Sequence, residues 1–220
     1  MCQSEKTVQE ERREPVRDSA CGWANADALS RTYHDRRWGV PERDDRALFE
    51  MLSLEAFQCG LSWRIVLAKR ESLAKAFEGF DFEKVASYGE DDVRRVLAAE
   101  GVIRSERKVR AVIANAKAFL AVRAKCGSFA SFLWGHTRGK TLVYDGHASG
   151  RIPASNALSA RIARELKGWG FAYVGPTVVY AFLQAAGLIN DHGADCPRFA
   201  AINRSHPVLK VEPEGEVFAR

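Results

Sequence analysis

Apolar residues recur at three- and four-residue steps through most of this chain, in segments closed again and again by Gly, Asp or Pro. That rhythm belongs to amphipathic helices rather than strands, and it limits the fold to helices packed on helices. Asp44 or Asp45 is placed to cap a helix running to about Gln58, and Ser62 one running to about Phe77. Asp91 and Asp92 open a third helix that ends near Gly101, and a long basic helix follows from about Ser105 to Arg123. Ser155 is placed to cap a helix ending near Gly168, and a last apolar helix runs from about Pro176, with proline in its first turn, to Ala186. Residues 137–153, TRGKTLVYDGHASGRIP, have loop chemistry with room for a short extended piece. The expected fold is all-α, with two lobes of packed helices.

A length of 220 residues suits one domain or two closely packed lobes, with enough chain to bury a core. No apolar run reaches the roughly 18–20 residues of a membrane span. The first twenty residues, MCQSEKTVQEERREPVRDSA, are charged and lack a signal-peptide stretch, so the expected compartment is the cytoplasm. They read as a mobile extension (1–20), followed by the main domain (21–199) and a tail (200–220). The formal charge is +5. The extension holds four basic against five acidic residues, so the remainder carries the positive charge. Nine basic residues fall between Arg94 and Lys125, a stripe that could follow a phosphate backbone or simply form a solvated helix face. The five cysteines are odd in number and widely spaced, which favours reduced thiols or a metal site over disulfides.

Four features carry chemistry. In DDRALFEMLSLEAFQCG, the positions Leu48, Met51, Leu52, Glu55 and Cys59 share one helix face, so Glu55 points toward the core while Glu50 does not. A buried carboxylate needs a partner: an arginine in a structural ion pair, or a ligand in a pocket. Trp23, Tyr33, Trp38 and Trp63 crowd the same region, either as core or as faces on which a base can stack. Cys21 and His34 near one end of the domain, and His192 and Cys196 near the other, make up a Cys2His2 set. Such a set closes a tetrahedral zinc site and would staple the two ends together. Finally, ALSARIARELKGWGFAYVGPTVVYAFLQAAG reads as helix, glycine-containing turn, helix. Such a hairpin can present backbone amides and a helix N-terminus to a phosphate without reading sequence, and it is also a common structural unit.

Together these stretches resemble one family. CGWANADALSRTYHDRRWGVP, LFEMLSLEAFQCGLSWRIVLAKRE and GFAYVGPTVVYAFLQAAGLINDH are similar, in order, to the opening, pocket and hairpin-plus-metal segments of the DNA-3-methyladenine glycosylase I family. The resemblance spans roughly residues 21–196. It implies a helix-hairpin-helix glycosylase fold, double-stranded DNA with alkylated purines as partner, and removal of N3-methylated adenine by base flipping without a lyase step. It implies a structural zinc ion on Cys21, His34, His192 and Cys196. Glu55 would be the key acid, recognising the damaged base. Tyr33 and Trp63 would stack on that base, with Trp23 and Trp38 completing the pocket. Gly175 and Thr177 would lie at the DNA backbone. A monomer is the family's habit.

Departures from the family pattern fall at the hairpin, where Asn156 replaces an expected acidic residue and Ala160 an expected lysine. Three other readings remain at this level. One is a DNA-binding module without catalysis, which an acid set among aromatics argues against. Another is a zinc deaminase, which needs an open metal position and a Glu beside a ligand in sequence. The third is a glycosylase of wider range that includes 3-methylguanine.

Overall fold

The structure, a computed structural model, describes residues 21–212; the 1–20 extension and residues 213–220 lie outside the described residues. A short 3-10 turn over Gly22–Asn25 leads into α1 (Ala28–Arg36), whose Asp27 cap accepts from the Ser30 amide at 2.7 Å. Helix α2 (Asp45–Gln58) is opened by the Asp44 carboxylate on the Ala47 amide. The single helix expected after Ser62 is two, α3 (Trp63–Ala68) and α4 (Arg70–Ala76). The chain kinks at Lys69, whose ammonium donates to the Gly101 carbonyl at 2.9 Å. Helix α5 (Phe82–Ala86) precedes α6 (Glu90–Ala98). Gly89, not an aspartate, stands at the N-cap of α6, and Asp92 reaches back from the first turn to accept from its amide.

Helix α7 (Glu106–Cys126) is the long basic helix, and α8 (Phe129–Gly135) follows it. The loop-like 137–153 segment contains one strand, β1 (Thr141–Tyr144), and a 3-10 turn over His147–Ser149. Helix α9 (Ala157–Gly168) is capped by Asn156 rather than Ser155, through reciprocal bonds between Asn156 and Ser159. The residue that departs from the family pattern thus has a local job. Helix α10 (Pro176–Ala185) is followed by α11 (Pro197–Ser205), which crosses residue 199, and by β2 (Val208–Val211), paired in parallel with β1. Neither α11 nor β2 was anticipated. Short helices such as α5 and α8 were missed for the same reason: fewer than two or three turns carry no readable period.

Helix α2 organises the core. Leu48, Phe49, Leu52, Ala56 and Phe57 are fully or almost fully buried. It packs against α3, α7, α8 and α10, so it joins the α5–α8 group to the α9–α10 pair. Phenylalanines fill the interior; Phe119 stacks on Phe129 at 4.2 Å and stands edge-on to Phe49. Five of the nine residues of the basic stripe are engaged within the chain. Arg110 bridges Glu90 and Glu106, Arg123 bridges Asp45 and Glu83, and Arg95 pairs with Asp92. Arg94 pairs with Asp91. Lys108 is buried and donates to the carbonyls of Phe57 and Cys59 at the end of α2. No helix among the described residues is long and apolar enough to cross a membrane.

The segment after α10 is threaded tightly. Gly187 has φ +74, and a Cβ there would stand 2.5 Å from the Pro41 nitrogen and 2.7 Å from the Gly39 carbonyl oxygen. Those neighbours are backbone and cannot swing away. Gly187→Ala is therefore expected to cost about 3–5 kcal/mol, from left-handed strain plus overpacking, read as a fall in the midpoint of urea unfolding. A midpoint unchanged by the substitution would show that this crossing is loose.

Candidate functional site

The first part of the site is a cavity of about 780 Å3 with an aromatic rim around the acid Glu55. Lys108 holds the last carbonyls of α2, so the chain turns there and brings Trp63 at the start of α3 back toward Glu55. Helix α1 supplies Tyr33, Trp38 follows it, and the initial 3-10 turn supplies Trp23; all five residues line the cavity. The Tyr33 and Trp63 rings lie 5.2 Å apart at 49°, and Trp23 meets Trp38 edge-on at 5.2 Å. Tyr33 is buried, Trp63 and Trp38 are half-buried, and Trp23 at 39% exposure stands at the mouth.

Glu55 is 5% exposed, and its Oε2 has no hydrogen-bond partner. Trp63 Nε1, on the same cavity, is likewise buried and unpartnered. The structural ion pair with arginine is found at Glu50 instead, which meets Arg70 at 2.7 Å and Arg37 at 3.5 Å. Burial raises the Glu55 carboxyl from 4.5 to about 8. Burial also pushes the Tyr33 phenol far above its usual value, with the neighbouring Glu55 adding to the effect. An acceptor left unsatisfied in an apolar site costs free energy that a ligand can return. A positively charged ring with an N–H edge matches this wall: its charge favours the carboxylate, its donors suit Oε2, and its faces suit the aromatic rings.

The second part is a cluster of donors. Cys21, His34, His192 and Cys196 are buried, and their ligand atoms all lie within 4.8 Å of one another, so the group could hold a metal ion. His34 Nε2 lies 3.1 Å from His192 Nδ1, and Cys196 Sγ lies 3.6 Å and 3.5 Å from those two atoms. Tetrahedral zinc with ordinary bond lengths needs edges of about 3.3–3.8 Å, and these three edges lie close to that range. The outward nitrogens are held as a ligating imidazole requires: His34 Nδ1 meets the Asp35 carboxylate at 2.7 Å and His192 Nε2 the Trp38 carbonyl at 3.2 Å. Burial, reinforced by the nearby His34, lowers His192 to about 4, which keeps it neutral. Trp38 packs edge-on against His192 at 4.6 Å, so the cluster and the aromatic pocket share a wall.

The third part is the α9–α10 hairpin. The two helices pack on each other, and the turn between them carries Tyr173 at φ 57 and ends in Gly175, the N-cap of α10. Gly175 has φ −68 and a Cβ there would touch nothing within 4 Å, so the fold itself does not demand glycine. No side chain caps α10, and Pro176 and Thr177 are exposed, which leaves the N-terminus of that helix turned outward.

A family model described as methyladenine glycosylase matches residues 23–199. The chain belongs to the methyladenine glycosylase family. It is 43% identical over 176 residues to DNA-3-methyladenine glycosylase 1 of Escherichia coli (strain K12), covering 80% of this chain and 94% of that relative. It is 40% identical over 178 residues to DNA-3-methyladenine glycosylase of Haemophilus influenzae, covering 80% of this chain and 96% of that relative. A solved structure of 3-methyladenine DNA glycosylase I from Staphylococcus aureus, described as giving the structural basis of 3-methyladenine recognition, superposes with a TM-score of 0.77. It is 36% identical and covers 82% of this chain and 95% of that one.

Several polar residues of this family member's cavity were not singled out from sequence, His147 and Asp191 among them. His147 lies in the loop-like 137–153 segment, where Gly146 and Gly150 on either side were the available signal. Asp191 was hidden beside the more conspicuous His192. Strand β1 brings them together, because Leu142 bonds both the Leu188 carbonyl and the Asn190 amide.

Proposed function

We propose that this chain is a monofunctional DNA-3-methyladenine glycosylase that flips N3-methylated adenine out of duplex DNA and hydrolyses its N-glycosidic bond. The products are the free base and an abasic site, the first step of base-excision repair. The observation that carries the reading is the unpartnered Glu55 carboxylate inside an aromatic cavity, in a chain of this family.

N3-methylation makes the base a cation, so its glycosidic bond is already weak, and the protein's task is to select, hold and dry the base. Glu55 accepts hydrogen bonds from the base edge and favours its positive charge. Tyr33 and Trp63 hold its faces, while Trp23 and Trp38 close the rim. The bond then breaks toward an oxocarbenium-like sugar, and water completes hydrolysis. The α9–α10 hairpin acts as a helix-hairpin-helix element, with Gly175, Thr177 and the outward N-terminus of α10 at a DNA phosphate. Zinc, held by Cys21, His34, His192 and Cys196, supplies a closed structural cross-link between the two ends of the 21–199 glycosylase domain. Four protein ligands leave no place for a catalytic water, and Glu55 belongs to a separate helix, which disfavours the deaminase reading. The whole cavity is built from one chain, in keeping with a monomer, and a chromosomal DNA substrate with reduced thiols suits the cytoplasm.

The test is base release. Purified protein mixed with methylated duplex DNA at neutral pH should release 3-methyladenine well above the spontaneous rate, with 3-methylguanine followed in the same chromatogram. A folded protein that binds DNA in a salt-sensitive way but releases no base would be a binding module instead.

A further inference from the structure

The cavity is larger than the damaged base alone requires; about 780 Å3 lies in the range that holds drug-sized ligands. Away from the aromatic residues, its lining includes His147, Ser149, Gln184, Asp191 and Asp195. Among these, Asp191 is a fully engaged carboxylate. His147 Nδ1 stands 2.8 Å from its Oδ1, while the Tyr180 hydroxyl and the Gln184 amide donate to its Oδ2 at 2.7 Å and 2.8 Å. Asp191 is 2% exposed and His147 5%. With an acceptor opposite it, Nδ1 carries a hydrogen, and Nε2 becomes the acceptor nitrogen of the neutral ring. The ring plane is set by stacking on Tyr144, with centroids 4.9 Å apart at 26°. Its backbone is set by Gly146 at φ 78, which opens the short turn carrying His147. Such fixing of both tautomer and orientation exceeds what simple filling of a wall requires.

We propose that His147 is a second catalytic residue of this site: held by Asp191, it orients the hydrolytic water against the anomeric carbon and takes its proton. The proposal rests on the glycosylase reading. When the C1′–N9 bond breaks, its electron pair leaves with the base, which departs neutral. A lone pair of the water oxygen forms the new C1′–O bond. The released proton passes to His147 Nε2 and then to solvent, and Asp191 stabilises the transient imidazolium. Other polar groups on the cavity are less suited. Asp191 is saturated by three donors, Gln184 is spent on Asp191, and the Ser149 hydroxyl donates to the Gly146 carbonyl. Gln58 cannot accept a proton, and Glu55 is engaged with the base. Asp195 is the remaining rival, an exposed carboxylate.

Single-turnover release from methylated DNA by His147→Ala tests this. Two donors stay on Asp191, so the fold is expected to survive; His147→Gln serves as the second variant if it does not. General base catalysis typically contributes roughly 10²–10⁴-fold, and a cationic leaving group places the expected loss near about a hundredfold. Binding of free 3-methyladenine, read by tryptophan fluorescence, should be unchanged, and added imidazole should restore part of the His147→Ala rate. An unaltered rate would overturn the proposal. So would a loss of free-base binding as large as the loss of rate, or a rate lost in Asp195→Asn and kept in His147→Ala. Wild-type protein that released no base would overturn the glycosylase reading and this inference with it; active wild type beside equally active His147→Ala overturns this inference alone.

Discussion

Glu55→Gln is expected to give a folded protein that releases 3-methyladenine at least about a hundredfold more slowly than wild type. Removing one preorganised electrostatic partner costs roughly 10²–10³ in rate, and here the lost partner is the acid set among the aromatic faces. The amide keeps the shape of the carboxylate and one acceptor oxygen, so stacking on Tyr33 and Trp63 should persist while attraction for the cationic base is lost. The carboxyl is held up at about 8 in the empty site, so many molecules carry it protonated at neutral pH. A cationic base favours the ionised form, and binding therefore releases a proton. The wild-type kcat/KM should rise with pH through about 8, and the Glu55→Gln profile should be flat over that window. Stability should move the other way. A carboxyl raised from 4.5 to about 8 on folding contributes stability that is complete below pH 4.5 and is lost as the pH rises through 8. At about 1.4 kcal/mol per pK unit the loss is on the order of 5 kcal/mol. Glu55→Gln should thus match the wild type in urea unfolding near pH 4.5 and exceed it at pH 8. Full activity from the folded variant would remove Glu55 from the site altogether.

Chelation is the second large effect. Stripping metal from Cys21, His34, His192 and Cys196 should lower Tm by about 10–20 °C, since each kcal/mol shifts a protein of this size by roughly 2–4 °C and a structural metal contributes several. The reason is geometric. Without a cation, two sulfurs and two imidazole nitrogens face one another within 4.8 Å with few protons to share. The cluster joins residues 171 positions apart through Cys21 and His192, so its loss frees the first turn and the segment after α10 together. Cys196→Ser should reproduce the shift, and elemental analysis should find one zinc per chain before treatment and little after it. At temperatures where the stripped protein is still folded, base release should continue. Activity abolished with Tm unchanged would instead assign the metal a part in the chemistry.

Much of the helical framework is legible in the sequence because amphipathic period and capping residues are local. Asp44, one of the two aspartates read as the cap, caps α2, the basic helix begins after Ser105 as read, and Pro176 opens α10. The inward direction of Glu55 follows from its helix face alone. Spacing likewise brought Cys21, His34, His192 and Cys196 under suspicion before any geometry was known. Other matters depend on distant partners, which no local pattern encodes. The cap of α9 is Asn156 and not Ser155, because the two residues offer similar side chains and only the path of the chain selects one. The basic stripe on α6 and α7 could have tracked phosphate; ion pairs that join α7 to Glu83, Glu90 and Asp45 on other elements commit part of it to the fold. The tail's β2 exists only because β1 lies beside it. Whether Glu55 would find an arginine or an empty cavity was also a tertiary matter. Arg37 and Arg70 reach Glu50, one and a half turns earlier on the same helix, and Glu55 is left facing the aromatic pocket with an oxygen unpaired.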